Sequence, residues 1–248
     1  MRHRLHVTNV VIVLGTLASA VAVLALFPDV PVGVRLLAIA GSTAILIVVS
    51  VFVAYVASRE RHRVALFAAL RGWSLDRNVS VLSARFSVFP FNRGRNGKVI
   101  NQLSGHHRFF DAFTLTYVVS RPAPQFYQVT YVELGAELPA MELLPEDLPA
   151  ALAKAVGGED LKIGNRWFDD TWRIRGDERF VRRLVTPALI KALKRRAPKG
   201  MPIAVDGRAL LTWRAGPMSV RGLSRSLDAL VEVARAIPDD YFAQTEKR

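Results

Sequence analysis

The sequence predicts an α+β protein in two parts: an N-terminal two-helix transmembrane hairpin, residues 1–58, and a basic cytoplasmic domain, residues 59–248. Three observations carry that reading. Two uncharged apolar runs, Val7–Phe27 and Leu36–Ala57, stand at the start of the chain. Beyond them, β-branched and aromatic runs alternate with segments of helical periodicity. The net charge of +13, from 34 Lys and Arg against 21 Asp and Glu, falls almost wholly after the second run.

The two runs are 21 and 22 residues long. At about 1.5 Å per residue, each reaches across a hydrocarbon core of about 30 Å. Only Pro28–Arg35 separates them, so they form a tight antiparallel hairpin. A cleaved signal peptide competes for the first run: Met1-Arg2-His3-Arg4 resembles a basic leader and Leu17-Ala18-Ser19-Ala20 a cleavage site. The run is longer than the apolar core of such leaders, which favours a span. Arg2 and Arg4 precede the first span, and Arg59, Arg61 and Arg63 follow the second. Both termini are therefore predicted on the cytoplasmic side of the cell (plasma or inner) membrane. Gly15 with Ser19, and Ala38 with Ser42, give small-residue spacing that suits packing within the hairpin or a homo-oligomer. Neither run holds an ionisable residue, which argues against an ion path.

Residues 59–73 read as a helix continuing the second span and stopped at Gly72. Phe89–Gly97 reads as a loop. Strands are expected over 98–104, 108–120 and 126–134, with a turn at Gly105-His106-His107, giving a three-stranded antiparallel meander. Met141–Leu144 is expected as a short edge strand, 146–156 as a helix, and 161–164 and 170–175 as strands. Phe180, Val181, Leu184, Val185, Ala188, Leu189, Ala192 and Leu193 recur at helical spacing, interrupted at Pro187, so a kink or two abutting helices is predicted. Asp206-Gly207 reads as the turn of a hairpin between 203–205 and 209–213. Leu223 to Ile237 marks a last helix, ended by Pro238.

The chain has no cysteine, which excludes disulfides and cysteine-based metal, redox or nucleophile chemistry. Of its basic residues 27 are Arg, a bias that with the Ala and Val content points to a GC-rich bacterial genome. His106 and His107 are neighbours that point different ways and lack further ligands nearby, so no metal site is expected. Asp111 calls for an ion-pair partner or an exposed strand start. Asp169-Asp170 and Asp239-Asp240 suit capping better than catalysis, and the four Trp suit core packing. No hydrolase, zinc-protease or dinucleotide fingerprint is present, and no catalytic residue or cofactor is assigned.

Cations form the remaining signal. Arg59, Arg61 and Arg63 stand next to the predicted inner leaflet. Arg93, Arg95 and Lys98 lie in or beside a Gly- and Asn-rich loop that lacks the P-loop pattern but offers contacts to phosphate, lipid or acidic protein. Arg179, Arg182, Arg183 and Lys194 lie roughly opposite the apolar stripe of the 178–196 segment. All ten are candidate contacts for anionic lipid or an acidic protein. Nucleic acid is disfavoured because no recognised motif for it occurs.

Several pieces resemble uncharacterised actinobacterial membrane proteins that carry two N-terminal spans and a domain of unknown function. They are Gly105-His106 ahead of Phe110-Asp111-Ala112-Phe113, then Leu144-Pro145-Glu146, Asp177 with Arg179-Phe180, Leu184-Val185-Thr186-Pro187, and Asp206-Gly207 before Leu210-Leu211. The resemblance implies no activity and no catalytic residue. A looser likeness is to bacterial membrane proteins with a pleckstrin-homology-like domain, a barrel into which the helices at 146–156 and 178–196 do not fit. The function expected is a membrane-tethered, non-enzymatic binding or scaffold module facing anionic lipid or an acidic protein. Its alternatives are a membrane-surface enzyme acting on a phosphate-containing substrate and an accessory subunit of a larger membrane complex.

Overall fold

The computed structural model describes residues 30–76, 85–92, 97–120, 123–147, 160–198 and 200–243. The chain divides into two compact units, Met1–His62 and Arg63–Arg248. The first predicted span, 7–27, lies outside the described residues, as do most of the predicted 146–156 helix and residues 93–96. The second span belongs to α1, Val32–Arg71, one unbroken helix of 40 residues that also takes in the predicted 59–71 segment. It is long and apolar enough to cross a membrane, and none of its most apolar window is buried. Inside that window Ser42 and Thr43 return their hydroxyls to the Ile39 carbonyl, at 2.9 and 2.8 Å, which removes bare donors from an apolar surface. Gly72, at φ +64°, ends the helix where a side chain would be strained.

The second unit is built on a six-stranded antiparallel sheet. Its strands are β1 (Ser74–Asp76), β2 (Lys98–His107), β3 (Phe110–Val119), β4 (Gln125–Pro145), β5 (Trp172–Gly176) and β6 (Ile203–Ala215). β1, β2, β3 and β4 pair in sequence order. The 21-residue β4 organises the rest. Its first half lies between β3 and β6, and its second half between β5 and β6. The helices beyond α1 are α2 (Arg166–Thr171), α3 (Glu178–Leu184), α4 (Pro187–Arg196), α5 (Leu223–Ala234) and α6 (Asp240–Ala243).

Alternation along β4 sends successive side chains into two cores. Val132, Leu134, Leu138, Met141 and Leu143 pack with the helices, Leu227, Leu230 and Val231 of α5 foremost. Val64 and Ala68 of α1 and Trp73 join the same core. On the other face, Tyr127, Val129 and Tyr131 meet Phe86, Val88, Phe89 and Phe91. The expected 89–97 loop thus begins as a hydrophobic cover. Asp206 fastens that cover by accepting hydrogen bonds from the Ser87 and Val88 amides and the Ser87 hydroxyl.

The helix-side face turns polar at one end. Thr114, Thr116, Gln128, Thr130 and Thr212 are all buried and lie on adjacent strands. Thr114 and Thr130 share a hydrogen bond of 2.8 Å. Thr116 Oγ1 accepts from the Met218 amide, and Gln128 clasps Ser219 through the Ser219 amide and carbonyl. The stripe therefore anchors the connection between β6 and α5.

Five expectations are corrected. Gly105-His106-His107 is strand, and the turn is Arg108-Phe109. Gly105 is there because the Trp73 indole lies where a Cβ would be, and Arg108 takes the positive φ of the turn, +57°. Met141–Leu144 is no edge strand but the far half of β4, flanked on both sides. Asp206-Gly207 makes no hairpin: β6 runs through it, with register shifts against β4 around Leu138. Residues 161–164 are not strand, and Asp169-Asp170 fall in α2. At Pro187 the helices do abut, with Thr186 capping α4 through the Leu189 amide.

Candidate functional site

The ten predicted cations do not form one cluster within a single unit. Arg59 and Arg61 lie on α1 in the first unit, and Arg63 begins the second. Arg93 and Arg95 lie outside the described residues; Lys98 opens β2 and is exposed. Arg179 is exposed on α3 and has no ion pair among the described residues. Arg182 pairs with Glu178 one turn away at 2.9 Å, and Arg183 with Asp240 at 2.8 Å. Their side chains remain 53% and 61% exposed, so these pairs leave the charge at the surface and contribute little stability. Lys194 lies 4.4 Å above the Trp167 ring.

Sequence reasoning missed a polar cluster where the end of α1, the β2–β3 turn and α5 meet. His107 Nε2 donates to Asp228 Oδ1 at 3.0 Å, and Arg108 reaches the same oxygen at 2.9 Å and Glu232 at 3.4 Å. Arg71 donates to His107 Nδ1 at 3.4 Å and to Ser224 Oγ at 3.2 Å. Burial pushes the Asp228 carboxyl up, but the His107 hydrogen bond and the Arg108 charge outweigh it and hold it below its ordinary value. Among the described residues the second ring nitrogen of His107 faces Arg71, and the cluster ties three elements together. The other histidine, His106, pairs with Asp111 at 2.8 Å on the surface, which supplies the partner Asp111 calls for. Among the described residues no three His, Asp or Glu converge as metal ligands.

Three further cations went unremarked in the sequence. Arg214 is the penultimate residue of β6, and Arg221 and Arg225 flank the start of α5. Only the fold brings them together, around a cleft of about 230 Å³ above the polar stripe.

No family model matches the chain, and no curated protein does. A solved structure does: the crystal structure of the mycobacterial trehalose monomycolate transport factor A, TtfA, with a TM-score of 0.53 at 13% identity. The match covers 73% of this chain and 95% of that one. At that identity the likeness is one of fold: this chain shares its α+β architecture with an actinobacterial transport-associated factor.

Proposed function

We propose that the protein is a membrane-tethered, non-enzymatic accessory factor whose basic domain lies on the cytoplasmic side and contacts anionic lipid or an acidic protein of a larger membrane assembly. The observation that carries the reading is α1. One helix contains the uncharged Leu36–Ala57 run and also contributes Val64 and Ala68 to the core of the second unit. Two spans with cytoplasmic ends place Arg59, Arg61 and Arg63 at the inner leaflet, where each cation contributes about 1 kcal/mol of attraction to an anionic surface. The fold shared with a protein called a transport factor favours an accessory role over catalysis.

The test is crosslinking of the tagged full chain in its native membranes, followed by purification in mild detergent. A stoichiometric membrane-protein partner or enriched anionic lipid, lost when Arg59, Arg61 and Arg63 are changed to Gln, supports the reading. A chain that comes away alone with zwitterionic lipid and turns over a phosphate ester contradicts it.

A further inference from the structure

The β6–α5 connection builds a site that none of the predicted cations describes. Arg214 donates through Nε and Nη2 to Gln128 Oε1, at 2.8 and 2.6 Å, so its guanidinium is held in place. The same Gln128 oxygen accepts from the Ser219 amide, which fixes the connection that leads into Gly222. Gly222 adopts φ +77° and starts the 12-residue α5 with no side-chain cap. The Ser224 and Arg225 amides, in the first turn of α5, find no acceptor among the described residues. Helix starts normally meet such amides with a Ser, Thr, Asp or Asn oxygen, as Asn165, Asp177 and Thr186 do for α2, α3 and α4.

Three independent features join that helix start. Arg221 and Arg225 line the cleft, and their guanidinium groups make no ion pair or hydrogen bond among the described residues. Thr212 also lines it; the residue is 5% exposed, yet its hydroxyl has no hydrogen-bond partner among the described residues. No carboxylate is among the described lining residues. An unpartnered hydroxyl on a nearly buried residue, unmet helix amides and the two unpaired guanidiniums of Arg221 and Arg225 have one ligand chemistry in common. An oxyanion accepts from all of them, and the α5 dipole favours it further.

We propose that this cleft is a phosphate-group binding site, with Arg221, Arg225, the Thr212 hydroxyl and the first-turn amides of α5 as donors and Arg214 as a fixed cation beside them. The cleft volume of about 230 Å³ falls below the range usual for drug-sized ligands, so it suits a phosphate with the few atoms attached to it. The phosphate comes either free in solution or as a lipid headgroup. The site does not depend on the domain docking to the membrane, so this proposal and the accessory role fail separately.

The test is calorimetric titration of inorganic phosphate into the full chain in a phosphate-free maltoside detergent. Saturable binding is expected, weakened at least about tenfold by Arg221→Gln with Arg225→Gln and unchanged by Arg179→Gln on a different helix. Thr212→Val removes only the hydroxyl and should weaken binding with an unchanged melting temperature, which separates the site from the fold. Repeating the titration in nanodiscs containing phosphatidic acid identifies the source. A headgroup in the cleft lowers the apparent phosphate affinity there, whereas a site for free phosphate titrates the same in both. No saturable binding in the phosphate-free detergent, or equal losses in the Arg179→Gln control and the double variant, overturns the proposal.

Discussion

Gly105→Ala is a one-carbon change with a worked consequence. A Cβ at Gly105 would lie 2.4 Å from Trp73 Cδ1 and 2.5 Å from Cγ, inside any van der Waals contact. These are the atoms at the root of the indole, so the ring cannot yield by a small swing. Trp73 is buried at 6% exposure, donates from Nε1 to the His106 carbonyl at 3.2 Å, and meets Phe67 of α1 edge to face at 5.6 Å. Relief of the clash breaks these contacts together. Overpacking in a filled core costs about 1–3 kcal/mol, and the upper end applies because the hydrogen bond is lost as well. For a domain of this size about 3 kcal/mol lowers the melting temperature by about 6–12 °C. The assay is thermal and urea unfolding of the full chain in detergent, with Trp73→Ala as the second arm of a cycle. Trp73→Ala alone should cost about 3–5 kcal/mol, and adding Gly105→Ala to it less than about 0.5 kcal/mol. A Gly105→Ala variant as stable as the wild type, or one that adds its full cost in the Trp73→Ala background, would show that the Trp73 indole does not exclude a Cβ at position 105.

Asp206→Ala releases the Phe86–Phe91 cover and should destabilise the domain by about 2–3 kcal/mol in urea unfolding, because a carboxylate bonded to two amides and a hydroxyl is lost. Leu227→Ala, at a fully buried position of α5, should cost about 2–5 kcal/mol by the same measurement. Asp228 has a depressed folded-state pKa, so its contribution is present above its ordinary value of 3.8 and is lost as pH falls through the lower folded value. Asp228→Asn should therefore be less stable than the wild type at pH 7, and the gap should close as pH falls below that range in denaturation at a series of pH values.

The parts of the fold that rest on local chemistry were legible in the sequence. The uncharged run of α1, the abutting helices at Pro187 and the central β2–β3–β4 meander follow from hydropathy, proline geometry and β-branched runs. Gly105-His106-His107 misled because glycine signals turns locally, while here a tryptophan thirty-two residues earlier requires the missing Cβ. Asp206-Gly207 misled for a related reason: its carboxylate is spent on a distant segment, and the register of β4 absorbs the glycine as an irregularity within a strand. The His107–Asp228 pair is 121 residues apart, and Arg214, Arg221 and Arg225 look like scattered surface charge until β6 and α5 are folded. Long-range convergence of this kind has no periodicity to read.

Whether the basic domain is tethered on the cytoplasmic side by the N-terminal apolar segments is read from reporters fused after Arg248. A reporter that works only in the cytoplasm should be active, one that works only outside it should be silent, and the full chain should stay in alkali-washed membranes. Activity of the external reporter, or release of the chain by the alkaline wash, would contradict that tethering.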